Sequence, residues 1–161
     1  MTAEQAWAPV LTELTDAADY WVCTVRPDGR PHAAPVWGVW WRGSLVFSSI
    51  GFSVKVGNLR ANDQVTVHLS SAQQVVIADG TATEIADPAE LAELGALFDA
   101  KYADGAKGTY DLAASRAAGM AICAVRAEVV RQWSAEDMFH SQRFTFNADG
   151  APVLDEKKVA V

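Results

Sequence analysis

The sequence predicts a mainly β domain with flanking helices, its antiparallel strands wrapped into a barrel. Three observations carry this expectation. The early strands are separated by short turns, Pro27-Asp28-Gly29-Arg30 and Arg42-Gly43, and connections that short leave antiparallel neighbours as the simple arrangement. Pro31–Trp41 is apolar on both faces, with Trp37, Val39 and Trp41 on one side and Val36 and Trp40 on the other. Such a strand belongs inside a covered or closed sheet. Gln64–Ser70 alternates, with Val65, Val67 and Leu69 on one face and Gln64, Thr66, His68 and Ser70 on the other, the period of a half-buried strand.

The remaining elements follow in order. Thr2 and Gln5 have the spacing of a capping box, and Trp7, Val10, Leu11, Leu14 and Ala18 recur at helical spacing, so residues 1–19 are read as an amphipathic helix. Residues 20–86 hold the barrel strands Tyr20–Arg26, Pro31–Trp41, Ser44–Ser49, Gln64–Ser70 and Gln73–Ala86, with a short helix over 53–62. Asp79-Gly80 interrupts the last of these and predicts a bulge or bend. Asp87-Pro88-Ala89-Glu90 places a cap, a first-turn proline and a third-position glutamate in sequence, the start of a helical excursion over 87–119. Within it Leu91, Leu94, Phe98 and Tyr102 form a stripe, and a weaker helix is expected over Tyr110–Ala117. Residues 120–147 carry two final strands, Met120–Trp133 and Gln142–Asn147, and the 148–161 tail is expected to pack poorly in an isolated monomer. The whole reads as one domain, 1–161.

Composition narrows the function. A formal net charge of -7 and a pI near 4.8 disfavour a general nucleic-acid binder, which needs a concentrated basic face. Cys23 and Cys123 stand alone in apolar runs, so neither a structural zinc nor any other metal site is expected. Two lone cysteines suit a reducing compartment. The N-terminus lacks the basic and apolar segments of a signal peptide, and no apolar run reaches membrane-spanning length; the expected location is cytoplasmic. There is no Gly-x-Ser-x-Gly elbow, P-loop, His-Glu-x-x-His or dinucleotide fingerprint. His32, His68 and His140 read as ordinary strand or surface residues.

The informative stretch is SSIGFSVKVGNLRAND, residues 48–63. It runs from a strand end through hydroxyl residues into a helix start carrying Lys55, Asn58 and Arg60. Free N–H groups and the helix dipole attract anions there, with Ser48, Ser49 and Ser53 as further donors and Lys55 as a full charge. These features alone fit a solvated, capped surface helix equally well. Four of the six tryptophans fall between Trp21 and Trp41, just before this segment, and a flat apolar wall beside a phosphate site is the outline of a flavin.

TVRPDGRPHAAPVWGVWW, SLVFSS, SVKVGNLRANDQVTVHL and VVIADGTATEI, taken in order and spacing, resemble the flavin-binding split β-barrel superfamily. These are the pyridoxamine-phosphate-oxidase-like proteins and the flavin/deazaflavin oxidoreductases. The likeness runs through residues 5–134, with a fainter echo in QRFTF. It implies a six-stranded antiparallel split barrel that forms a homodimer with its cofactor in the groove between subunits. It would place Ser48, Ser49, Lys55 and Arg60 around the cofactor phosphate, and His32, Pro35, Val36 and Trp37 near the ring system. The arginine- and lysine-rich phosphate motif of authentic pyridoxamine-phosphate oxidases is missing, as is their C-terminal Arg/His segment; SAEDMFHSQRFTF offers only His140 and Arg143.

The leading expectation is therefore a coenzyme F420-dependent reductase passing hydride to a conjugated or heteroaromatic small molecule. The cofactor would supply the chemistry, which is why no catalytic set stands out. The alternative is an FMN-dependent oxidoreductase on the same fold. F420 continues past a phosphodiester into an acidic tail, for which Arg30, Arg42 and Lys101 are the candidate cations. A third reading is a non-catalytic cofactor- or haem-binding module, with His32, His68 or His140 as axial ligand.

Overall fold

A computed structural model of the 161-residue chain describes residues 1–137 and 139–155. Helix α1 (Ala3–Asp16) begins at the Thr2/Gln5 capping box, both reciprocal hydrogen bonds being present. Strands β1 (Tyr20–Val25), β2 (Pro31–Val36), β3 (Gly38–Trp41) and β4 (Ser44–Ile50) follow. After α2 (Val54–Ala61) come β5 (Gln64–His68) and β6 (Gln74–Glu84), then α3 (Pro88–Tyr102) and α4 (Leu112–Ala117). The chain closes with β7 (Met120–Ser134), β8 (Gln142–Phe146) and β9 (Pro152–Asp155).

All the strands pair antiparallel in one sheet, in the order β2-β1-β5-β6-β7-β4-β3, with β8 beside β7 and β9 beside β8. The ends of the seven-strand path, β2 and β3, are joined by Trp37 alone. A one-residue link spans no more than about 7 Å, so the sheet must curl until its two edges meet. This is the split barrel. The nine-stranded sheet exceeds the six strands that the resemblance implied, through the division of Pro31–Trp41 at Trp37 and the added β8–β9 hairpin.

That division corrects the expectation of a single strand over 31–41. Gly38 is buried, and a Cβ there would come within 2.7 Å of the Val46 carbonyl oxygen, so β3 can lie close against β4 only with glycine at this position. The sidedness survives the break: Val36 and Trp40 belong to one core cluster, Val39 and Trp41 to the other. The expected irregularity at Asp79-Gly80 is a register shift against β7. The tail is corrected in part, because residues 152–155 form β9 on β8; residues 156–161 lie outside the described residues.

The first core cluster fills the barrel, where Tyr20, Val22, Phe47, Val76 and Phe144 meet Trp7, Val10 and Leu14 of α1 and Val56 and Leu59 of α2. The second lies between the other face of β3, β4 and β7 and the helices α3 and α4, with Val39, Val46, Leu94, Phe98 and Ile122 at its centre. Helices on one side and barrel interior on the other leave β4 buried on both faces, from Ser44 to Phe47. All four helices bury their apolar residues in one or other cluster. The outward row Trp21, His68, Ile77, Arg131 and Arg143, in register across β1, β5, β6, β7 and β8, is half-buried with no described helix over it.

Candidate functional site

The site is built around the start of α2. Ser53 is the N-cap residue, yet its side chain makes no cap hydrogen bond. Its hydroxyl lies 3.1 Å from that of Ser49 instead. The first-turn N–H groups of α2 are therefore left for an outside acceptor. Lys55 sits in that turn, half-buried, with no hydrogen bond or ion pair to any described residue. A cation at a helix N-terminus works against the dipole, so helix stability does not account for it. An anion docked at the turn would.

The other sequence-selected residues divide. Ser49 and Ser53 meet, but Ser48 faces the opposite side of β4, paired with Ile122 of the second cluster. Arg60 lies in the last turn of α2, where its Nε donates to Glu84 Oε1 at 2.6 Å and its Nη1 to the Gly51 carbonyl at 2.7 Å. This guanidinium ties the ends of the 51–60 segment together. The same pair holds the Glu84 carboxyl below its ordinary range, the Arg60 hydrogen bond being the largest cause. Asn58 is only 4 % exposed and donates to Thr24 Oγ1 at 2.9 Å. Thr24 Oγ1 in turn lies 3.5 Å from His32 Nδ1. The His32 imidazole pKa is pushed down by burial and by the neighbouring charges of Arg26 and Lys55. Arg26 and Lys55 thus both bear electrostatically on this imidazole in an otherwise acidic protein.

Pro35, Val36 and Trp37 lie at the far end of β2. With Asp19, Trp21 and Ser70 they line a hollow of about 410 Å³. His32 and Trp37 are five positions apart, roughly 16 Å along a strand, and Pro35 faces the opposite side of β2 from His32. Within one protomer the two groups form two half-sites. Trp37 is 65 % exposed and its ring stacks on Tyr102 at 5.5 Å and 12°. The Tyr102 hydroxyl donates to the Gly38 carbonyl at 2.7 Å and accepts from the Gly38 N–H at 3.0 Å. Lys101 Nζ donates to the carbonyls of Thr15 and Gly38 and to the Tyr20 hydroxyl, each near 3 Å. Burial takes the Lys101 pKa down to about 8, with Asp16 pulling the other way.

Lys101 is thereby an internal clamp between α3, α1 and the β2–β3 bend, which corrects its reading as a groove cation. Arg30 pairs with Asp28 at 2.7 Å, and Arg42 pairs with Glu93 at 2.8 Å while lying over the Trp41 ring. Sequence reasoning missed Thr24, Tyr102 and Arg26. In the sequence Tyr102 reads only as part of a helix stripe, and Thr24 sits in a strand with no motif around it.

No group of three or more His, Cys, Asp or Glu side chains among the described residues is placed to hold a metal ion. No curated protein matches the chain. Among solved structures it resembles a conserved hypothetical protein from Mycobacterium tuberculosis at 19% identity and TM-score 0.68, covering 79% of this chain and 83% of that one. It is also similar to an F420 reductase at 25% identity and TM-score 0.55, covering 73% of this chain and 93% of that one. A pyridoxamine 5'-phosphate oxidase-related, FMN-binding protein from Nostoc punctiforme shares 15% identity at TM-score 0.64, over 92% and 95% of the two chains. The family model for pyridoxamine 5'-phosphate oxidase matches residues 11–134, most of the barrel and both half-sites. The chain belongs to the pyridoxamine 5'-phosphate oxidase family, within the flavin-binding split-barrel superfamily of oxidoreductases.

Proposed function

We propose that the protein is a coenzyme F420-dependent reductase that acts as a homodimer and passes hydride to a conjugated or heteroaromatic small molecule. The observation that carries the reading is the unpartnered Lys55 at an uncapped helix start, in electrostatic reach of His32 together with Arg26. That donor set fits a phosphate or phosphodiester group. Deazaflavin supplies the hydride when bound, and the protein binds it, orients it and excludes water. Lys55 and the first-turn N–H groups hold the anionic group. Trp21, Pro35 and Trp37 offer the flat walls against which a ring system lies. The F420 reductase among the structural relatives supports this choice of cofactor.

The two half-sites argue for a second copy. Ile50, Phe52 and Val54 beside the helix start are 49%, 91% and 47% exposed, an apolar rim that a lone domain would not ordinarily show to water. The uncovered row on β1, β5, β6, β7 and β8 offers a further face. A dimer would bring the helix start of one copy towards the β2–β3 bend of the other. We also place the protein in the cytoplasm, because both cysteines are free thiols; no described helix is long and apolar enough to cross a membrane.

FMN is the second reading, and one observation favours it: the three cations considered for an acidic tail, Arg30, Arg42 and Lys101, are all engaged within the protomer. Titrating the purified protein with F420 and with FMN separately, following ligand fluorescence, decides between them. Tighter F420 binding, followed by turnover of an acceptor with reduced F420, supports the reductase. Tighter FMN binding transfers the proposal to FMN. Tight binding without turnover against an acceptor panel points to a non-catalytic carrier, and binding of neither refutes the flavin reading.

A further inference from the structure

Among the described residues the buried polar side chains are Thr24, Ser44, Ser49 and Asn58. Three of them lie beneath α2 or at its start. A buried hydroxyl or amide is costly unless its donors meet acceptors, so their pairing constrains the protons. Asn58 Nδ2 donates to Thr24 Oγ1 at 2.9 Å, taking one lone pair of the hydroxyl. The next atom within reach of that hydroxyl is His32 Nδ1, at 3.5 Å. Were Nδ1 protonated, the Thr24 hydroxyl hydrogen would be stranded at a position 2 % exposed. With Nδ1 unprotonated, Thr24 donates to it and the buried hydroxyl hydrogen has an acceptor. The neutral ring then carries its proton on Nε2, the nitrogen on the far side from buried Thr24.

We propose that Thr24 and Asn58 form a buried relay that fixes His32 as its Nε2–H tautomer, presented as a hydrogen-bond donor to the anionic cofactor group held by Lys55. Thr24 and Asn58 are positioning residues in this scheme, and neither touches the cofactor. The inference rests on the flavin-type reading for its ligand, but not for its tautomer. Arg26 and Lys55 are the charged groups that bear on the ring, and both favour its neutral form. A neutral donor beside two cations adds direction to the site without a third positive charge competing for the same space.

Long-range ¹H–¹⁵N spectra of the labelled full chain at pH 7.5, with His32 assigned by loss of its signals in His32→Gln, read the tautomer directly. The expected pattern is Nε2–H in the parent and in Thr24→Ser, which keeps the hydroxyl, with the preference lost in Thr24→Val. FMN and F420 titrations should show about tenfold weaker binding of the preferred cofactor in Thr24→Val, the worth of one oriented hydrogen bond, and near-parental binding in Thr24→Ser. An Nδ1–H tautomer in the parent overturns the relay, as does a Thr24→Val protein with unchanged tautomer and affinity. If neither cofactor binds the parent, the functional reading fails while the tautomer alone still decides the relay.

Discussion

Replacing Lys55 with alanine should move cofactor affinity and fold stability in opposite directions. The side chain has no partner among the described residues and sits in the first turn of α2, where the helix dipole disfavours a cation. Removing it relieves roughly 0.3–1 kcal/mol of unfavourable dipole interaction at low ionic strength, and alanine is the better helix former. Its neighbour Val56 carries the core contact and is untouched. On the cofactor side, a charge-assisted hydrogen bond to a phosphate oxygen contributes about 1.5–3 kcal/mol, so the dissociation constant should rise roughly tenfold to over a hundredfold. Urea unfolding and fluorescence titration on the same preparation measure the two effects, and the parent's affinity should also fall more steeply with salt than the variant's. Unchanged affinity in a folded Lys55→Ala protein would refute the anion assignment. A loss of more than about 1 kcal/mol of stability would instead show that the lysine is structural, since surface substitutions that break no packing or hydrogen bond ordinarily fall within half that.

Three other outcomes follow from the geometry. Gly80→Ala should destabilise severely or abolish folding, because a Cβ there would stand 1.9 Å from the Arg126 carbonyl oxygen across the bulge; thermal unfolding measures it, and a Tm near the parent's would contradict the packing. Phe52→Asp, at a side chain 91% exposed, should leave the monomer's Tm nearly unchanged and weaken the proposed dimer in sedimentation; association undiminished by the change would remove this rim from the proposed interface. Lys101 titrates near 8 in the fold, below its ordinary value of 10.5, so the folded state binds fewer protons than the unfolded state between those values and stability should rise as pH increases from 8 towards 10. Lys101→Met should flatten that rise in urea titrations across the interval, and a slope equal to the parent's would exclude Lys101 as its source.

Local signals made most of the elements legible. The Thr2/Gln5 and Asp87 caps, the Asp79-Gly80 irregularity and the alternation in β5 each depend on residues close in sequence, and each appears in the structure. The break at Trp37 was hidden because it depends on Gly38 approaching the Val46 carbonyl, a contact set by hairpin register and not by local propensity. The β9 strand was missed because its four residues, three half-buried and Val153 exposed, gain order only from pairing with β8. The candidate site divides in the same way. Ser53 and Lys55 were readable as a helix start, whereas the commitments of Asn58 to Thr24 and of Arg60 to Glu84 cross 34 and 24 residues of chain. No local pattern marks such partners. Ser48 failed to join Ser49 for the simplest reason, the period of two along a strand.

Docking of an anionic flavin-type cofactor on the uncapped start of α2 can be read from amide ¹H–¹⁵N spectra of the labelled protein titrated with FMN and with F420. The cofactor that binds should shift the amides of Val54, Lys55 and Val56 most strongly, in slow or intermediate exchange, with smaller changes at the β2–β3 bend around Trp37. Saturable shifts confined to other parts of the barrel, with those three first-turn amides unmoved, would contradict it.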